Sequence, residues 1–190
     1  MTPGPHIWWL ASRASGIVAL GLIATSVVLG LAMANKLLRG RSIAALHEQL
    51  SLAGLVAVAI HGLTLLGDPW LHPGLSGIAV PFTMGYRTVF TGLGILAGYL
   101  AAALGLSFYV RRRFGARLWR KLHRFTPVAY VLALVHTLGA GTDAGTPWLR
   151  TFMPAGAIPI AVLLVARLVP RTQRRAVKAP APVVAQERAL

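Results

Sequence analysis

Residues 43–67, IAALHEQLSLAGLVAVAIHGLTLLG, and residues 122–142, LHRFTPVAYVLALVHTLGAGT, are two apolar stretches that each carry a pair of histidines. The pairs are His47 with His61 and His123 with His136. An imidazole at membrane depth costs free energy unless it has a partner, so each of these residues is a functional candidate. Two pairs of similar spacing strengthen the case.

Working outward, the chain of 190 residues is 56% hydrophobic and only 12% charged, a composition that suits one polytopic membrane domain rather than a soluble fold. A formal charge of +15 could point to nucleic acid, but the cations sit between apolar segments and in no reading motif, so no nucleic-acid partner is expected. The absence of cysteine excludes disulfides, thiolate catalysis and Cys-ligated zinc or iron–sulfur centres. Metal chemistry must then rest on histidine. The N-terminal MTPGPHIWWLASRASG lacks the basic start and cleavage site of a signal peptide, so the first apolar segment is expected to be retained.

Five spans are expected: Ala14–Asn35, Leu50–Gly67, Thr88–Val110, Phe125–Thr142 and Thr151–Ala166. Each approaches the roughly 20 residues a spanning helix needs, the second starting as early as Ile43 and the fourth near Leu122. Sixteen of the 19 basic residues follow spans one, three and five, while Arg13, Arg87 and Arg150 fall on the other side. The positive-inside rule then places the N-terminus outside and the C-terminus in the cytoplasm. The expected fold is an all-α polytopic bundle in the bilayer of the cytoplasmic (inner) membrane. A membrane domain over 1–170 precedes a tail over 171–190, rich in Pro, Ala and basic residues, expected to be a disordered cytoplasmic segment.

On an ideal helix the 14 residues from His47 to His61 give about 21 Å of rise and return within about 40° of the starting face. Gly54, midway, lies on the same stripe. It either lets a flat macrocycle approach the backbone or serves small-residue helix packing. The 13 residues from His123 to His136 rotate by about 220°, nearly to the opposite face, unless Pro127 kinks or re-winds the helix. Spans two and four run in the same direction, so His47 and His123 share the inner level and His61 and His136 the outer. Facing imidazoles are what a six-coordinate b-type haem requires, and interhelical hydrogen bonding is the competing reading. Matched depth favours two haems b, the inner on His47/His123 and the outer on His61/His136.

These spacings, with the stretch RRRFGARLWRKLHRFTPVAYVLALVH, resemble the ferric reductase-like transmembrane domain. That family includes ferric reductases, NADPH oxidases and the haem-binding membrane subunit of bacterial methionine sulfoxide repair. WWLASRASGIVAL, the IAVPF loop and GYRTVFTGLG extend the likeness over about residues 7 to 170. The resemblance implies that all four histidines ligate two b haems, and the 13-residue spacing is itself a family feature. Larger members continue into flavin- and nicotinamide-binding domains, and many have six spans. The electron donor is therefore expected to be a separate cytoplasmic flavoprotein or other reductant, and the acceptor extracytoplasmic.

Among the remaining residues, Arg13 and Arg87 are natural outer partners for haem propionates, and Arg120, Lys121 or Arg124 inner ones. Lipid headgroup contact or topology signalling explains the same residues without a haem. His6 and His72 could line an outer site, although an isolated interfacial histidine is commonly a surface residue. Asp68 and Asp143 are expected in turns, and Glu48 at the first turn of span two. Gly94 and Gly98 form a GxxxG that reads as close helix packing, not a dinucleotide loop.

The leading functional expectation is transmembrane electron transfer through two bis-histidine haems. A quinol- or superoxide-linked oxidoreductase with an outer substrate pocket is the second. A non-redox transport or structural protein whose histidines carry protons or metal ions is the third.

Overall fold

The computed structural model describes residues 4–169, so the expected tail over 171–190 lies outside the described residues. The described chain is helical throughout: α1 (Gly4–Ala34), α2 (Arg41–Thr64), α3 (Gly74–Ala79), α4 (Thr88–Phe114), α5 (Ala116–His123), α6 (Thr126–Ala140) and α7 (Pro147–Leu168). A 3-10 turn, Leu65–Gly67, extends α2. Four of these helices, α1, α2, α4 and α7, are long and apolar enough to cross a membrane, which marks a multi-pass membrane protein.

Local sequence explains the boundaries. Gly115 at φ 88° ends α4 and opens α5, a left-handed backbone that glycine adopts without a Cβ penalty. Pro127 and Pro147 sit in the first turns of α6 and α7, where a missing N–H has no helical partner to lose. The fourth expected span differs most from the structure. The chain breaks at Arg124–Phe125, Phe125 having φ −83° and ψ 0°, so His123 closes α5 and α6 is a separate helix of 15 residues. Its length of about 22 Å is less than a bilayer core of about 30 Å.

The long helix α1 is the hub. It packs against α2, α7 and α6, while α6 lies mainly on α4 and α2 touches α4 only lightly. Leu20, Ala24, Val27 and Leu31 of α1, Tyr130 of α6 and Ile160 of α7 form the core. Lipid tails are as apolar as leucine, so contact between these helices depends on close van der Waals fit at small residues. A Cβ on Gly156 would come 2.8 Å from the Tyr130 hydroxyl, and one on Gly54 would come 2.9 Å from Ile23 Cγ1. Gly54 thus seats α2 on α1, the helix-packing alternative of its two readings.

The ends of the bundle are tied by polar contacts. The Arg13 guanidinium pairs with the Asp143 carboxylate through two nitrogens, one bond being Nη2 to Oδ1 at 2.6 Å, and lies over the Trp9 ring. Arg13, expected to face a propionate, is therefore committed to the α6–α7 loop. Asp68 meets its turn expectation: Oδ1 accepts from the backbone N–H groups of Trp70 and Leu71 at 2.8 and 3.1 Å. Glu48 does not sit in the first turn of α2, which begins at Arg41, but accepts a hydrogen bond from the Tyr109 hydroxyl of α4 at 2.7 Å.

The Arg13–Asp143 pair is partly buried, and charge-assisted bonds of this kind are worth about 1.5–3 kcal/mol. Asp143→Asn is expected to lower the thermal midpoint of the detergent-solubilised protein by several degrees. Asp143→Glu should fall between it and the native chain.

Candidate bis-histidine centres

Two pairs of imidazoles meet between the α1–α2 layer and the α4–α6 layer. The ring centroids of His47 and His123 are 6.2 Å apart at an interplanar angle of 87°. Those of His61 and His136 are 6.1 Å apart at 72°. The break before α6 makes the first pairing possible. With His123 on α5 and His136 on α6, the rotation computed for one continuous helix no longer applies, and both rings turn toward α2.

Each imidazole is anchored through the same atom. Nδ1 of His61 lies 2.7 Å from the Ser12 carbonyl and Nδ1 of His47 2.9 Å from the Ser26 carbonyl, both on α1. Nδ1 of His136 lies 2.9 Å from the Phe90 carbonyl and Nδ1 of His123 3.4 Å from the Leu104 carbonyl, both on α4. A carbonyl oxygen can only accept, so Nδ1 carries the proton at all four positions. Nε2 is then the nitrogen that keeps a lone pair. An imidazole whose Nδ1–H is held by a backbone carbonyl is the arrangement that orients metal-ligating histidines and raises their basicity.

The anchoring helices are shaped for these rings. Four residues beyond each of three acceptors stands a glycine: Gly16 after Ser12, Gly30 after Ser26 and Gly94 after Phe90. A Cβ on Gly16 would be 2.9 Å from His61 Nδ1, one on Gly30 3.1 Å from His47 Cε1, and one on Gly94 2.5 Å from His136 Nδ1. The rings therefore lie directly on helix backbone. This corrects the expectation for Gly94, which accommodates an imidazole, whereas Gly98 meets Val58 at 3.4 Å as a packing glycine does. At the fourth position, Phe108 replaces glycine and the Nδ1 contact is the longest. There His123 instead stacks on Trp119, with centroids 4.9 Å apart at 26°, and Trp119 meets Phe108 edge-on at 5.7 Å.

Ser12 and Ser26 add a second tie on the α1 side. Their hydroxyls each lie 3.1 Å from the Nδ1 of His61 and His47, and both serines are buried. Ser26 also exchanges a 2.6 Å hydrogen bond with Ser51, whose hydroxyl donates to the His47 carbonyl at 2.7 Å.

The centroid separations can be compared with metal chemistry. Metal–imidazole bonds of about 2.0–2.1 Å, plus about 1.1 Å from nitrogen to ring centre on each side, put two opposed rings about 6.2–6.4 Å apart. Packed aromatic pairs also reach such distances. The uniform Nδ1 anchoring is what distinguishes these residues, because interhelical glue would not require the same tautomer four times. Among the described residues, no group of three or more His, Cys, Asp or Glu gathers to hold a metal ion. Each pair therefore offers two nitrogens, too few for a closed zinc site.

The other expected site residues make no hydrogen bond to the rings. Arg87, in a left-handed conformation at the start of α4, donates to the Gly139 carbonyl and lies over the Tyr86 ring. Arg124 is exposed at the end of α5. His6 and His72 are exposed and join no cluster of candidate ligands. Nothing in the sequence reading pointed to Ser12, Ser26, Gly16 or Gly30 as supports of the rings. The available signal was a second 14-residue interval on α1, from Ser12 to Ser26 and from Gly16 to Gly30, equal to that between His47 and His61.

Nitrogen-15 histidine spectra of the diamagnetic protein should report four Nδ1–H tautomers. Gly94→Ala should abolish the protected Nδ1 proton of His136, whereas Gly98→Ala should leave it intact.

Compared with known proteins, this chain matches no family model, no curated protein and no solved structure.

Proposed function

We propose that this protein carries electrons across the cytoplasmic membrane through two bis-histidine b haems. The observation that carries this reading is the paired imidazoles with all four Nδ1 atoms held on backbone carbonyls. Two nitrogens per level are what a metal needs from the protein when a macrocycle provides the other four of six positions. His47 and His123 would hold the inner group and His61 and His136 the outer one. When bound, haem supplies one-electron Fe(III)/Fe(II) chemistry.

The chain's own part is positional. The α1 carbonyls of Ser12 and Ser26 fix the α2 imidazoles, and the α4 carbonyls of Phe90 and Leu104 fix those of α6 and α5. On α2 the two levels are separated by 14 residues, about 21 Å of helix rise, which gives one step across much of the bilayer. Both nitrogens of each pair would be used in holding the group, so the chain's histidines would have no further part in binding an acceptor. Strong Nδ1 hydrogen bonds favour the oxidised state by making each ligand more electron-rich. Fixed tautomers also weigh against a proton relay, in which Nδ1 and Nε2 must exchange roles.

In this reading α6, preceded by α5, completes five membrane passages, with the N-terminus outside and the C-terminus in the cytoplasm. The basic loops after α1 and α4 support that orientation. A separate cytoplasmic flavoprotein or similar reductant supplies electrons, and an extracytoplasmic acceptor receives them. The resemblance to ferric reductase-like domains agrees with this assignment. An outer substrate pocket would have to draw on Arg87, whose guanidinium donates to the Gly139 carbonyl, and on the exposed His72.

A reduced-minus-oxidised spectrum with haem quantification on the purified chain should give two b haems per polypeptide. Substituting His61 or His136 by Ala should remove one and the same centre, and substituting His47 or His123 the other. A colourless protein, or loss of different centres within a pair, would overturn the assignment.

A further inference from the structure

The inner pair is built differently from the outer one. His123 has the weakest carbonyl tie, 3.4 Å to Leu104, and lacks a glycine beneath it. Its position is set by stacking on Trp119. The Trp119 indole Nε1 is also the one buried side-chain polar atom among the described residues that has no hydrogen-bond partner. An indole N–H can only donate, and leaving such a donor buried and unpaired costs about 1–3 kcal/mol. The neighbouring cations of α5, Arg117, Arg120, Lys121 and Arg124, are exposed and donate as well, so none of them can satisfy it.

We propose that Trp119 is a binding residue of the inner centre, its Nε1–H donating to an anionic oxygen of the group held between His47 and His123. For a b haem that oxygen belongs to a propionate carboxylate. This inference rests on the haem reading above and adds a residue to it. Three observations converge on the assignment. The indole is in stacking contact with an inner imidazole, its N–H is shielded from solvent and lacks an acceptor, and the helix that carries it is strongly basic. A carboxylate placed beside α5 would gain a charge-assisted bond from a desolvated donor, while exposed cations make the electrostatic potential around it more positive. The outer centre has no equivalent. Its imidazoles sit on Gly16 and Gly94, and its nearby guanidinium groups are committed to Asp143 and to the Gly139 carbonyl.

The test uses the full chain with haem bound. Trp119→Phe keeps an aromatic ring against His123 and removes only the donor. Transfer of haem to excess apomyoglobin should become on the order of tenfold faster from the inner centre and remain unchanged at the outer one. The inner centre is identified as the one lost in His123→Ala. A second arm needs no folded variant to succeed: the native apoprotein, reconstituted with haem dimethyl ester, should release the ester from the inner centre faster than it releases haem. That margin should narrow in Trp119→Phe. Two haems in both proteins, with identical inner release rates and no ester effect, would overturn the role of Trp119 and leave the haem reading standing. A native chain that binds no haem would overturn both.

Discussion

The hydrogen bond from a histidine Nδ1–H to a helix carbonyl is the contact on which the candidate site depends. In an α-helix each carbonyl already accepts from the amide four residues on, so a second donor must approach from the side, over the residue at that fourth position. A side chain there blocks the approach. Glycine at positions 16, 30 and 94 removes the obstacle, and the rings of His61, His47 and His136 come down onto backbone. The cost of glycine in a helix interior, about 1 kcal/mol each, is borne where an imidazole fills the space.

From this contact the helix arrangement follows. Because α1 serves both imidazoles of α2, the two helices must run side by side in one register for 14 residues, and α1–α2 is the most extensive helix pair in the molecule. Similarly, α4 serves His136 and His123, so α4 and α6 form the second layer. The layers meet through the rings and through the packing of α1 on α6 in the core, while α2 touches α4 only lightly. Helices on either side of the rings are thus fixed by contacts elsewhere, which keeps the imidazoles at a set separation without direct packing of α2 on α6. Rigid support of this kind is what positions ligands before a cofactor binds.

The two levels are not copies. Three imidazoles rest on glycine, and the fourth is held by an indole. The break at Arg124–Phe125 that brings His123 round to face His47 also takes it off the continuous helix, and stacking with Trp119 compensates for the looser carbonyl tie. Groups held by the two otherwise similar imidazole pairs would therefore differ in their surroundings and in their properties.

The sequence by itself determined the helical class, the four long apolar helices to within ten residues at their ends, and which histidine pairs with which. Apolar run length and the spacing of His47 and His61 contain that information because a helix converts residue number directly into rise and rotation. The same rule failed for His123 and His136, since it assumes unbroken helix and the break at Arg124–Phe125 depends on how α5 docks beside α4. The partners of Arg13 and Glu48 were equally hidden, because Asp143 and Tyr109 are remote in sequence and each charge had several plausible partners. Only the tertiary structure decided that Gly54 packs on α1 and that Gly94 holds an imidazole. A glycine records the absence of a side chain, and what occupies the vacated space is set by the neighbouring helix.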